Sequence, residues 1–354
     1  MNGHFFMSKL YDIMTFKKEY KNMKLQLTLN SLALILCCGD LIPSSTQPIS
    51  TQEWQEIEKK LKSAHKELSM ITGMSIDTLT QIIGLDEFTA HKIEKRQKLL
   101  PDLFYALQNL ENQDIGVTTI YEEDYPASLR VLGTKMPLVI SYIGDLSLSY
   151  GVNISVAGPQ MMNKTMRHVT KEIMKKISKE GYTVVVGGSK GVEELALRTQ
   201  LTNNGNAVLF VADHMFDKIR LYSKYIKQNK LVIMTANDPY ALFDVTHALD
   251  KNLYICGMVF AQIVTGTHIG SGPVWFTSIQ NIHSHWTRQL VYETLDYSGN
   301  IRLIEMGEAH FTDEDLKSEV TLAEILDNHE TVIKKDDPSI DQMTIFEFIE
   351  DKHE

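Results

Sequence analysis

The sequence predicts an α/β protein in which a mostly parallel sheet carries helices on both faces, preceded by a small all-helical region. Three observations carry this. Short β-branched runs begin near Ile115 and recur as LVISYIG, NISVAG, TVVVGG, AVLFVAD, LVIMTAN, VFAQIVTG, LVYETL and IRLIEM. Amphipathic segments separate them, among them TMRHVTKEIMKKISKEG, VEELALRTQLTNNG, MFDKIRLYSKYIKQN and PYALFDVTHALDKNLYICG. Glycine-rich turns mark the passages from strand to helix. Strand–helix alternation at this spacing implies right-handed crossovers between parallel strands.

The elements before Ile115 read as helices. Met1 to Lys24 mixes aromatic, basic and acidic residues without a period and reads as a short extension. Leu25 to Leu36 is largely apolar, and with the Cys37–Cys38 pair it loosely resembles a lipoprotein signal. The run is short and another segment precedes it, so a buried helix is the preferred reading. Ser50 and Glu53 have the spacing of a capping box, and the helix that follows places Trp54, Ile57 and Leu61 on one face. Further helices are expected at Ser75–Ile83 and Asp86–Lys98, the latter separated by Pro101 from LFYALQNLEN. The organisation is therefore a helical region over 1–114, an α/β domain over 115–307 and an acidic tail over 308–354. The tail contains one expected helix, SEVTLAEILDN.

Charge is unevenly spread. The formal net charge is −10, but residues 308–354 hold 15 Asp/Glu against 4 Lys/Arg, leaving the body near neutrality at +1. An acidic total therefore does not exclude an anionic ligand in a locally basic pocket. Three cysteines give no disulfide framework and fit a reducing cytoplasm. No segment is long enough to span a membrane.

Ligands of doubly wound sheets bind at the carboxyl ends of the strands. Three glycine-rich loops there form the candidate phosphate-binding and DNA-binding site. The first is Gly158-Pro159-Gln160, followed by Lys164 and Arg167. The second is Gly187-Gly188-Ser189-Lys190-Gly191. The third contains Gly270, Ser271 and Gly272. Lys251 and Asn252 complete the set. Bare backbone amides and helix N-termini at such loops suit an anion.

Two of these segments carry a family resemblance. DYPASLRVLGTKMPLVISYIGDLSL and VVVGGSKGVEELALRTQLTNNGNAVLFV resemble the opening strand and second loop of the DprA/Smf DNA-processing proteins. The resemblance runs from about Gly116 to Gly307 and implies a DprA-like, extended Rossmann-like domain. It further implies single-stranded DNA binding, a homodimer and help in loading a recombinase. The departures lie in the loops: Gly158-Pro159-Gln160 stands where the family has Gly-Ser-Arg, and Asp250-Lys251-Asn252 where it has Arg-Asn-Arg.

The leading expectation is a non-enzymatic DNA-binding protein acting in DNA processing, recombination or phage defence. A nucleotide-sensing or antitoxin module restraining a toxin-like partner is the alternative, and a phosphoribohydrolase-like enzyme the second. The third loop lacks the glutamate such hydrolases need, and Glu193–Glu194 read as helix N-terminal residues favoured by the dipole. His268, His283 and His285 read as polar surface residues, with no metal or cofactor expected. In the tail, Gln342, Met343, Ile345 and Phe346 resemble a short peptide that docks on the sliding clamp.

Overall fold

A computed structural model describes residues 25–317 and 319–328. The proposed clamp peptide and the extension before Leu25 lie outside these residues. The chain divides into two units. The first holds the residues up to Tyr125 with 133–143 and 235–241; the second holds 126–132, 144–234 and the residues from Leu242 onward.

In the first unit, α1 (Leu29–Cys38) is an interior helix whose residues Leu34–Cys37 are fully buried. Its amino end is capped by Thr28, whose hydroxyl accepts from the Ser31 amide at 3.2 Å. Its carboxyl end is closed by Arg96, which donates to the carbonyls of Leu36 at 2.7 Å, Gly39 at 2.6 Å and Thr46 at 3.0 Å. A buried guanidinium thus satisfies carbonyls that the helix leaves open. The expected capping box at Ser50 and Glu53 opens α2 (Thr51–Ser63), with Trp54, Ile57 and Leu61 buried on one face. Ser75–Ile83, expected as an ordinary helix, contains a π-helical turn at Thr78–Ile82. Then come α3 (Glu87–Gln97), capped by Asp86, and α4 (Leu100–Glu111), with Pro101 in its first turn. The antiparallel strands β1 (Gly116–Thr119) and β2 (Val139–Ile143) complete the unit.

The second unit is the α/β body. Its strands are β3 (Asn153–Ala157), β4 (Thr183–Val186), β5 (Ala207–Phe210), β6 (Leu231–Thr235), β7 (Ala261–Val264), β8 (Arg288–Tyr292) and β9 (Ala309–Phe311). All pair in parallel, in the order β6-β5-β4-β3-β7-β8-β9. The helices between them are α5 (Lys164–Lys179), α6 (Val192–Thr202), α7 (Met215–Lys227), α8 (Val245–Met258), α9 (Gly272–Ser284) and α10 (Ser298–Glu305). The mostly parallel, Rossmann-like sheet expected from the sequence is present. Among the described residues, no helix is long and apolar enough to cross a membrane.

IRLIEM is not a strand; it lies in α10. Its apolar residues recur at helical spacing, with Leu303 buried against Val264, Trp275, Phe276 and Val291, and Ile304 packed beside them. The last strand comes later, within the acidic segment, where Ala309 pairs with Leu290. The helix expected there is α11 (Leu322–Asn328). It is capped by Glu180, the residue that follows α5, whose carboxylate accepts from the amides of Leu322 at 2.5 Å and Ala323 at 3.1 Å. Residues 308–317 and 319–328 are thus built into the body.

The turn into β9 buries Glu308, which is 8% exposed. Burial alone pushes its carboxyl up to about 7. Burial of Cys256 itself, with Glu308 nearby, pushes its thiol up to about 12. Because the folded state holds the Glu308 proton more tightly than the unfolded chain, stability falls as pH rises from the ordinary carboxylate range to about 7, and levels off above it. Glu308→Gln is expected to stabilise the protein by about 3 kcal/mol at pH 8, the gain vanishing near pH 4.5, as read by denaturant unfolding across that range.

Candidate functional site

Strand order in the second unit reverses direction at β3. The chain steps outward through β4, β5 and β6, then returns to place β7 on the other side of β3. The carboxyl ends of β3 and β7 are therefore the switch point of the sheet, where ligands of such folds bind. The three glycine-rich loops all converge on this edge.

The first loop is tied to its neighbours through backbone. A methyl carbon at Gly158 would lie 2.3 Å from Thr265 Oγ1 and 2.8 Å from a Val192 methyl, so only glycine allows the loops after β3 and β7 to approach this closely. Pro159 brings no amide, and its carbonyl accepts from the Val192 amide at 3.3 Å. Gln160 is exposed. Asn163 caps α5, accepting from the Met166 amide at 2.8 Å and donating to Asp296 at 2.9 Å. Lys164 and Arg167, in the opening turn of α5, are exposed.

The second loop collects cations. Lys251 of α8 is buried at 6% exposure and donates from Nζ to Ser189 Oγ at 3.3 Å. A methyl carbon at Gly187 would sit 2.3 Å from that ammonium. Lys218 of α7, not singled out from the sequence, donates to the Gly188 carbonyl at 3.4 Å. Lys190 is exposed at the loop tip. Among the described residues, none of Lys164, Arg167, Lys190, Lys218 and Lys251 forms an ion pair with a carboxylate. One amide expected to face a ligand is already engaged: Ser189 N donates to Glu193 Oε2 at 2.9 Å. Asn252 lines a small cavity of about 20 Å³ with Ser155, Gln262 and Glu193, the residue that holds the Ser189 amide.

The third loop is pinned by a residue that the sequence reading passed over. Asn300 of α10 is fully buried; its Oδ1 accepts from the Thr267 amide at 2.8 Å. Its Nδ2 donates to the carbonyls of Thr265 at 3.1 Å and Tyr292 at 2.7 Å. Ser298 Oγ accepts from the Ile269 amide at 3.3 Å. Ser271 occupies the N-cap position of α9 without using its side chain as a cap, between Gly270 and Gly272, both at positive φ. His268 belongs to this loop, whereas His283 and His285 lie at the far end of the 13-residue α9, about 20 Å away along its axis. Among the described residues, no group of three or more His, Cys, Asp or Glu is placed to hold a metal.

The family model described as DNA recombination-mediator protein A matches residues 116–315. The chain belongs to that family. DNA processing protein A (DprA) from Streptococcus pneumoniae is similar in fold, with a TM-score of 0.66 at 16% identity, over 86% of this chain and 99% of that one. DNA processing protein A from Helicobacter pylori, a protein described for its single-stranded DNA binding mode, gives a TM-score of 0.50 at 15% identity. That match covers 60% of this chain and 97% of its own. Among curated protein sequences nothing matches.

Two substitutions test the loop architecture. At Gly191 φ is +87°, and a methyl carbon would lie 2.3 Å from the Pro159 carbonyl oxygen and 2.5 Å from that of Gln160. Gly191→Ala is therefore expected to cost about 2 kcal/mol in denaturant unfolding. Asn300→Ala strands three buried backbone groups and is expected to cost about 3 kcal/mol in the same measurement.

Proposed function

We propose that this protein binds single-stranded DNA by its phosphates at the carboxyl edge of the α/β body, without catalysing a reaction on it, in DNA processing or recombination. The observation that carries the reading is Lys251. Its side chain is buried and, among the described residues, its ammonium donates to one neutral hydroxyl, on a loop where two further lysines gather. A buried cation is costly unless a counter-charge meets it, and a phosphate oxygen is such a charge. Membership of the DNA recombination-mediator family and the DNA-binding relative from Helicobacter pylori support the choice of DNA.

The mode of grip follows from the hydrogen bonds. Glu193 occupies the Ser189 amide, and Pro159 removes one amide from the first loop. Phosphates are then met chiefly by ammonium and guanidinium groups: Lys218 and Lys251 at the second loop, Lys190 at its tip, Lys164 and Arg167 beside the first. The third loop adds the Ser271 hydroxyl and the glycine backbone at Gly270 and Gly272. Ionic contacts of this kind tie affinity to salt through counterion release. The non-enzymatic reading is supported by the third loop, TGTHIGSGPVW, which lacks the glutamate of the phosphoribohydrolase-like motif.

Fluorescence anisotropy with a labelled oligothymidylate checks the assignment. Lys190→Glu/Lys251→Glu is expected to bind at least about 100-fold more weakly, with the log–log salt slope reduced by about 1.4, or ~0.7 for each lost contact. A thermal melt of the variant controls for the buried site. Unchanged affinity and slope in a folded variant would defeat the proposal.

A further inference from the structure

The edge that carries the cations also carries an apolar rim. Met161 in the loop after β3 is 89% exposed, Ile269 in the loop after β7 is 54% exposed, and Leu295 in the loop after β8 is 91% exposed. Scattered exposed apolar residues are ordinary on protein surfaces. These three are not scattered. Their strands are adjacent in the sheet, in the order β3-β7-β8. Their loops are cross-linked beside them, through Asn163 to Asp296 at 2.9 Å and through the Ile269 amide to Ser298 at 3.3 Å. A fourth side chain adds a π-face: the exposed His268 imidazole stands on the buried Tyr297 ring, with centroids 5.0 Å apart.

Charge divides the same edge in two. Lys164, Arg167, Lys190, Lys218 and Lys251 belong to the side of β3, β4 and β5. The loops beyond β8 and β9 carry Glu293, Asp296, Asp313 and Glu314 instead. A phosphate backbone is attracted to the first side and repelled by the second; the apolar rim runs from Met161, beside Lys164 on the first side, to Leu295, between Glu293 and Asp296 on the second.

We propose that Met161, His268, Ile269 and Leu295 receive the unstacked bases of a single strand whose phosphates lie on the cationic side. This rests on the phosphate-binding reading and deepens it, because it specifies why the ligand is single-stranded. In a duplex the base faces are buried in the stack, so such a rim gains nothing from them; in a single strand they are free. A thioether, two aliphatic chains and an imidazole offer no base-specific hydrogen-bond pattern beyond one ring nitrogen, so the contact tolerates any sequence.

The test compares a 20-nucleotide oligothymidylate with an abasic strand of equal length, by fluorescence anisotropy in several salt concentrations. The full chain is expected to bind the oligothymidylate about tenfold or more tightly than the abasic strand. Met161→Ser/His268→Ala/Ile269→Ser/Leu295→Ser, all at exposed positions, is expected to lose that preference while keeping its salt slope. Equal binding of both strands by the unaltered protein overturns the inference and leaves the phosphate reading intact. So does a variant that keeps the preference. A variant whose sedimentation shifts from a larger to a smaller species, with oligothymidylate affinity unchanged, assigns the rim to self-association and overturns it too. Failure of the unaltered protein to bind either strand overturns both readings.

Discussion

The carboxyl edge of the α/β body depends on how closely three loop backbones can approach one another. At Gly158 the space that a methyl would need is taken by Thr265 and Val192; at Gly191 it is taken by the carbonyls of Pro159 and Gln160. Each loop is thus a wall of the next. The Val192 amide donates to Pro159, joining the start of α6 to the first loop, and Thr265 donates its hydroxyl to the Ala157 carbonyl, joining the ends of β3 and β7. The glycines act first as packing elements, and that packing sets the loops at the switch point of the sheet.

This changes what the glycine-rich loops contribute electrostatically. In the usual arrangement, free amides at a helix N-terminus supply the positive field. Here Glu193 takes the Ser189 amide, so positive charge at the second loop comes from side chains on α7 and α8 instead. Lys251 reaches the loop because Gly187 has no side chain in its path. An ammonium is a mobile point charge rather than a fixed fork, which suits an irregular backbone better than a single rigid phosphate geometry.

How far the sequence discloses this architecture depends on range. Strand–helix alternation is a local signal, and from β2 to β8 the strands fall on the expected runs. The capping box at Ser50 and the buried face of Trp54, Ile57 and Leu61 are local too, and both are present. IRLIEM, read from the sequence as a strand, is helical: a short apolar run suits either period, and packing of Leu303 against Trp275 and Val291 decides it. Lys218 and Asn300 were illegible for a different reason. Each lies on a helix, outside any glycine motif, and reaches its loop only because strand order brings α7 beside the end of β4 and α10 beside the ends of β7 and β8. Asn252, next to Lys251 in sequence, lines the small cavity that also holds Ser155 and Glu193.

Asn300 has one further consequence. By holding the Thr267 amide and the carbonyls of Thr265 and Tyr292 with a single buried amide group, it fixes the loop after β7 when the chain folds. Freezing a backbone residue costs about 1–2 kcal/mol of conformational free energy, and in this loop that cost belongs to folding rather than to association. Any flexible polymer seated on the edge therefore meets a surface that is already ordered, and the freedom lost on association is mainly the polymer's own.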